Sequence, residues 1–218
     1  MNVFASIGIC LVPLLLFCIV FLIWVKKLTP LQLLLSLLLG LVAIVPVTLV
    51  QYFLMKLPIF TAANLLSVIV VTFIFNGLIE ESFKLSACFL LPFKKMDFRS
   101  FVACGFLIGC AFGSFENIVY LFAGVKDISI RFFTSLILHS CTTGLSAIYL
   151  WTFKNKEPKI YCFIMAVLLH GLYNFFAGSE KFWWFSVITV IYAAVRLKFS
   201  FDRLTQLTEE KTEVLVET

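Results

Sequence analysis

The 218-residue chain is 62% hydrophobic, 17% aromatic and only 13% charged, with a mean hydropathy of +1.07. No soluble domain of this size needs that composition. Uncharged runs of about twenty residues or more, separated by short basic clusters, read instead as an all-α polytopic membrane protein of about seven helices. The net charge of +5 is spread over short loops rather than gathered in one patch, which excludes nucleic acid as a partner.

Taken in chain order, the expected spans are Val3 to Val25, Leu31 to Met55, Ala62 to Leu91, Phe101 to Phe122, Phe132 to Phe153, Ile160 to Ala177 and Phe182 to Leu197. The first lacks the basic n-region of a signal peptide and is expected to stay as a helix. Lys26-Lys27 stops it, Pro30 opens the second span, and Pro58 separates the second from the third. The third is over-long, which implies tilt or an interfacial start near Thr61 to Asn64. Pro13, Pro46 and the lone Gln51 mark the first two spans as packing and anchoring helices. From about Ser200 the composition turns mixed and polar, as in a short, weakly ordered tail. The seven cysteines, at 10, 18, 88, 104, 110, 141 and 162, fall in apolar segments without CxxC or metal-type spacing and read as small membrane-embedded hydrophobes.

Assigning alternate loops to alternate sides puts twelve Lys and Arg on one side and four on the other, with Lys84 left inside the membrane. The positive-inside rule then places the N-terminus outside and the C-terminus in the cytosol.

The stretch Asn76-Gly77-Leu78-Ile79-Glu80-Glu81-Ser82-Phe83-Lys84 sets two carboxylates and an ammonium inside a membrane-length apolar run. Each charge there costs a few kcal/mol, so such residues are functional-site candidates. On a helix Lys84 lies one turn after Glu80 and points between the two carboxylates, a grouping that can offer both a base and an acid. The alternative is a structural ion pair between helices.

Glu116, His139 and His170 are also ionisable residues within spans. Counting at 1.5 Å per residue from the nearest basic anchors puts Glu80, Glu116, His139 and His170 at similar depths, roughly 15 to 25 Å. Gly105, Gly109 and Gly113 make a close-approach stripe in the fourth span, with Glu116 on the same face. Ser135, His139, Thr142 and Ser146 form a polar stripe in the fifth, and His170 and Asn174 are one turn apart in the sixth. Each alone suits interhelical hydrogen bonding, but together they suit water activation and hydrolysis of an amide or ester. Glu80, Glu116, His139 and His170 supply enough N and O donors for a zinc-type site without its short local spacing. The cofactor stays open, with zinc as the candidate and a metal-independent mechanism slightly preferred.

These residues resemble a known family. Glu80-Glu81-Ser82-Phe83-Lys84 matches the EExxK motif of the PrsW-type intramembrane peptidases, and Phe112-x-x-x-Glu116, followed by Asn117, matches their second motif. His139 and His170 fall where the later motifs place histidines. The wider clan includes the CAAX prenyl endopeptidases and Abi-type membrane proteins. His170-x-x-x-Asn174 is similar to the CAAX branch, whereas PrsW proteins more often carry Asp at the last position.

The resemblance implies an endopeptidase of the bacterial cytoplasmic membrane, acting on single-span membrane proteins such as an anti-sigma factor. It implies two accessory helices in 1–57, a five-helix part with the peptidase core in 58–199 (motifs 80–174) and a cytosolic tail in 200–218. Glu80 or Glu81 is then the general base, Glu116 and His139 position water or metal, and His170 with Asn174 stabilises the oxyanion. Lys84 tunes the glutamate pair, and Phe112 and Asn117 support the site. A proton-coupled transporter or a non-catalytic scaffold or immunity protein of the same clan is the alternative.

Overall fold

The structure is a computed structural model that describes residues 3–58, 64–122 and 129–217. Its helices are α1 (Val3–Trp24), α2 (Pro30–Leu54), α3 (Leu65–Phe89), α4 (Phe98–Phe122), α5 (Ser129–Lys154), α6 (Ile160–Ala177) and α7 (Trp184–Glu217). There is no strand among the described residues. Seven helices are long and apolar enough to cross a membrane, matching the expected spans to within a few residues at most ends. Thr61 to Ala63, part of the expected interfacial start of the third span, and Lys126 of the charge count lie outside the described residues.

Local chemistry fixes the helix starts. Thr29 and Gln32 close a capping box with Pro30 at the first helical position of α2. Asn64 Oδ1 accepts from Ser67 N (2.8 Å) to open α3, and Asp97 Oδ1 accepts from Ser100 N (2.9 Å) at α4. A 3₁₀ turn at Phe93–Lys95 joins α3 to α4.

The bundle is built around α4 and α5, whose membrane windows are 72% and 78% buried, against 22–33% for the others. The glycine stripe explains that centrality. A Cβ at Gly105 would overlap Ala147, and one at Gly109 would overlap the His139 carbonyl, so α4 and α5 meet nearly backbone to backbone. Gly40 of α2 sits equally tightly on the Ile108 carbonyl. Outward faces carry exposed Leu15, Leu16, Ile23, Val42 and Ile191, a surface that only lipid tolerates. All seven cysteines are buried among these helices.

The loops with the basic clusters gather at one end. Lys27 lies 3.9 Å from Asp97, and the Lys154 ammonium lies 4.4 Å from the Phe89 ring centre and 4.9 Å from that of Phe93.

The expectation of weak order from Ser200 is corrected: α7 runs without a break to Glu217. Ser200 is buried, Phe201 stacks on Phe98 with ring centres 5.5 Å apart, and Leu204 packs on the same cluster. The polar composition hid three inward-facing positions at helical spacing.

Candidate active site

Between Val71 and Ile79, α3 is π-helical, and the N–H of Glu80 reaches back to Phe75 O as well as Gly77 O. The segment is rich in β-branched and aromatic residues and ends near an Asn-Gly pair, a poor sequence for a regular α-helix. Its wider turns lie against α6. A Cβ on Gly77 would come within 2.8 Å of the Val167 carbonyl, and one on Gly171 within 2.5 Å of the Phe73 ring. Such segments are common at functional sites, and this one delivers Glu80 and Glu81 directly after it, at the start of the α-helical Glu80–Phe89.

The two glutamates have different surroundings. Glu81 is fully buried, and its Oε1 accepts from Lys84 Nζ (2.6 Å), Thr142 Oγ1 (2.8 Å) and His170 Nδ1 (2.8 Å). Ser146 Oγ reaches its Oε2 at 3.5 Å. Glu80, 3% exposed, accepts from Gln51 Nε2 at Oε1 (3.0 Å), while its Oε2 has no hydrogen-bond partner and faces His170 Nε2 at 3.6 Å.

Donor counting assigns the tautomers. The Lys84 ammonium can only donate, so His139 Nδ1, 2.9 Å away, accepts, and the proton of a neutral His139 sits on Nε2. That N–H donates to Glu116 Oε2 at 2.8 Å. By the same reasoning His170 donates from Nδ1 to Glu81 and turns the lone pair of Nε2 toward Glu80. The two imidazoles meet edge to face, with ring centres 4.7 Å apart.

The remaining expected residues surround this centre. Glu116 also accepts from Tyr120 (3.3 Å) and Ser135 (3.4 Å). Phe112 packs on His139 (5.2 Å between rings) and lies 4.9 Å under the Lys84 ammonium. Asn117 donates to the Phe132 carbonyl (3.0 Å), bracing α4 on α5. Asn174 donates to the carbonyl of His170 (3.3 Å), one turn back along α6.

Glu80, His139 and His170 bring ligand-type atoms to within 4.8 Å of one another, whereas Glu116 stands behind His139 as its hydrogen-bond partner. Glu80 and His170 fit a divalent metal, whereas His139 joins them only by giving up a hydrogen bond, because Lys84 holds its Nδ1 lone pair and its Nε2–H donates to Glu116. Glu80 Oε2 is unclaimed, and His170 has its far nitrogen held by a carboxylate, the usual support of a ligating histidine. Three carboxylates also share the site with one ammonium, Lys84, which leaves two negative charges for protons or a cation to balance.

A family model described as "PrsW family intramembrane metalloprotease" matches residues 29–197. The chain belongs to the PrsW family. Its similarity to Protease PrsW of Clostridioides difficile (strain 630) is 26% identity over 181 residues, covering 72% of this chain and 71% of that protein. No solved structure matches the chain. The PrsW chain is thus a multi-pass membrane peptidase, a hydrolase whose buried Glu and His residues lie together in the bundle.

The PrsW site also includes residues that the sequence reading did not assign to it. Gln51 stood out as a lone amide in an apolar helix, and that was its signal. Tyr120 lies one turn after Glu116 and carried none. Thr142 and Ser146 belonged to the polar stripe of α5, whose partner on α3 only the fold reveals.

Proposed function

We propose that the chain cleaves peptide bonds of membrane-anchored, single-span proteins, with Glu80 as the carboxylate that takes the proton from the attacking water. The observation that carries this reading is the unpartnered, buried Glu80 Oε2 facing His170 Nε2 at 3.6 Å. A water in that space would give one proton to Glu80 and another, in a hydrogen bond, to the His170 lone pair.

Glu81 is a positioning residue in this reading. Three donors hold its Oε1, and it fixes the His170 tautomer and anchors Lys84. Glu116 orients His139 from behind. Asn174 is the proposed oxyanion donor, an amide one turn beyond His170 on α6. Glu80 and His170, joined by His139 once Lys84 releases its Nδ1, would hold a metal such as zinc, which when bound acidifies water and polarises a carbonyl. Glu80 is indispensable in either arrangement. The proposed setting is a bacterial cytoplasmic membrane with the basic end of the bundle in the cytosol, supported by the twelve-to-four distribution of Lys and Arg.

The test is cleavage of a tagged single-span peptide in liposomes by wild type, Glu80→Gln and Glu81→Gln. Glu80→Gln is expected to lose about 10²- to 10⁴-fold in turnover at unchanged folded yield, and Glu81→Gln to lose both activity and stability. Near-wild-type turnover by Glu80→Gln would sink the assignment and favour a transport relay.

A further inference from the structure

At the basic end of the bundle, away from the carboxylates, α7 and the start of α6 enclose a cavity of about 250 Å³. Arg196, Ser200 and Arg203 fall four and seven residues apart on one face of α7, the spacing that stacks side chains on successive turns. Lys159, just before α6, and Tyr161 in its first turn close the cavity from the other side, and Phe199 also lines it. Three cations therefore share one small space.

No described carboxylate forms an ion pair with them. Among the described residues the ion pairs are Lys27–Asp97, Lys84–Glu81, Lys198–Asp202 and the histidine–carboxylate pairs of the site, and none involves Lys159, Arg196 or Arg203. Arg196 Nε is moreover buried without a hydrogen-bond partner. A buried guanidinium N–H left unpaired is costly, and the group that satisfies it best is an anion with several oxygens. Like-charged neighbours add to that cost.

The surroundings narrow the anion's chemistry. The cavity sits where α6 begins, at Lys159 and Tyr161, and along the second half of the seventh span, Trp184–Leu207, with Arg203 about 10 Å beyond Arg196 at 1.5 Å per residue. That range matches the headgroup layer, where basic pockets between helices take up anionic lipid. The lining mixes guanidinium and ammonium groups with Tyr161, Ser200 and the Phe199 ring, so it can meet a phosphate at one end and glycerol or acyl carbon at the other. We propose that this cavity is a binding site for a phosphate group, carried by an anionic phospholipid whose headgroup is held by Lys159, Arg196 and Arg203. The lipid would clamp α7 to the start of α6.

The test uses the full-length protein in a zwitterionic detergent and three probes: dioctanoyl phosphatidylglycerol, dioctanoyl phosphatidylcholine and inorganic phosphate. Binding is read by native mass spectrometry and by the shift in melting midpoint. Phosphatidylglycerol is expected to bind and to raise the midpoint, phosphatidylcholine to do neither. Arg196→Gln/Arg203→Gln should weaken phosphatidylglycerol binding about 25-fold, at about fivefold for each cation removed. Lys159→Gln, in a loop where folding is not at stake, should weaken it about fivefold. Lys94→Gln/Lys95→Gln, at the same end but outside the cavity, should leave it unchanged. Saturable binding of inorganic phosphate that competes with phosphatidylglycerol would keep the phosphate site and name a soluble anion as its occupant. Equal binding of phosphatidylcholine, or equal losses in the Lys94/Lys95 control, would overturn the proposal, because the affinity would then be a property of the whole basic surface.

Discussion

Replacing Lys84 by Met tests whether the ammonium is a structural member of the site. The two side chains are similar in length, so the change removes charge and donors with little change of volume. Lys84 and Glu81 are both fully buried, 2.6 Å apart. The variant would strand the Glu81 carboxylate with hydroxyl and imidazole donors and no cation, and leave His139 Nδ1 without its 2.9 Å donor. Removing one partner of a buried pair costs about 3–5 kcal/mol. For a chain of this size about 2–4 °C follows each kcal/mol, so the melting midpoint should drop by roughly 6–20 °C. The assay is thermal unfolding in detergent followed by far-ultraviolet circular dichroism, run beside Glu81→Gln and Glu81→Gln/Lys84→Met. The double variant buries no uncompensated charge and should lose less than the sum of the singles, by about 0.5–3 kcal/mol. A Lys84→Met midpoint within about 2 °C of wild type, or additive losses in the double variant, would refute the reasoning.

Gln51→Leu removes the amide that holds Glu80 Oε1 at 3.0 Å; turnover should fall about tenfold, and a buried carboxylate oxygen left without its donor should cost about 1–3 kcal/mol in unfolding experiments; Gln51→Asn should not rescue turnover, because the shorter arm cannot span the gap. Gly109→Ala forces a methyl into the His139 carbonyl and Thr143, so it should cost about 1–3 kcal/mol in unfolding experiments and reduce cleavage by displacing His139. Reporter fusions after Lys95 and after Lys159 should both read cytosolic, as the distribution of basic residues requires; an external reading at either site would break the seven-span topology.

The spans were legible because a membrane demands long apolar runs, and the basic loops between them are short. The convergence of Glu80, Glu116, His139 and His170 was legible for a related reason: ionisable groups in such runs are rare enough to be conspicuous. The different surroundings of the two adjacent glutamates were not legible. Glu80 and Glu81 differ by one position, and their roles depend on Gln51 of α2, Thr142 and Ser146 of α5 and His170 of α6, partners supplied only by the fold. The π-helical segment was equally hidden, since an i→i+5 turn leaves no periodicity of its own in nine residues of Val, Thr, Phe, Ile, Asn, Gly and Leu. The accessory reading of α2 also misses Gln51, whose amide reaches into the site.

The hydrogen bonds give a physical reason for a motif with two carboxylates. From Thr142 and His170 the bonds run through Glu81 to Lys84, on to His139 and then to Glu116 with its Ser135 and Tyr120 donors, linking α3, α4, α5 and α6. Each tautomer in that chain follows from its neighbour, because an ammonium cannot accept and a carboxylate cannot donate. A buried hydrogen-bond network is rigid, and three donors converge on Glu81 Oε1, which ties that carboxylate to the network. In the proposed mechanism the two tasks, organising the network and reacting, are divided between the two glutamates. Glu81 would take the first task, and Glu80, held by Gln51 at one oxygen only, leaves the other to face His170. The division predicts different failures: loss of Glu80 should silence a stable protein, whereas loss of Glu81 should loosen four helices at once.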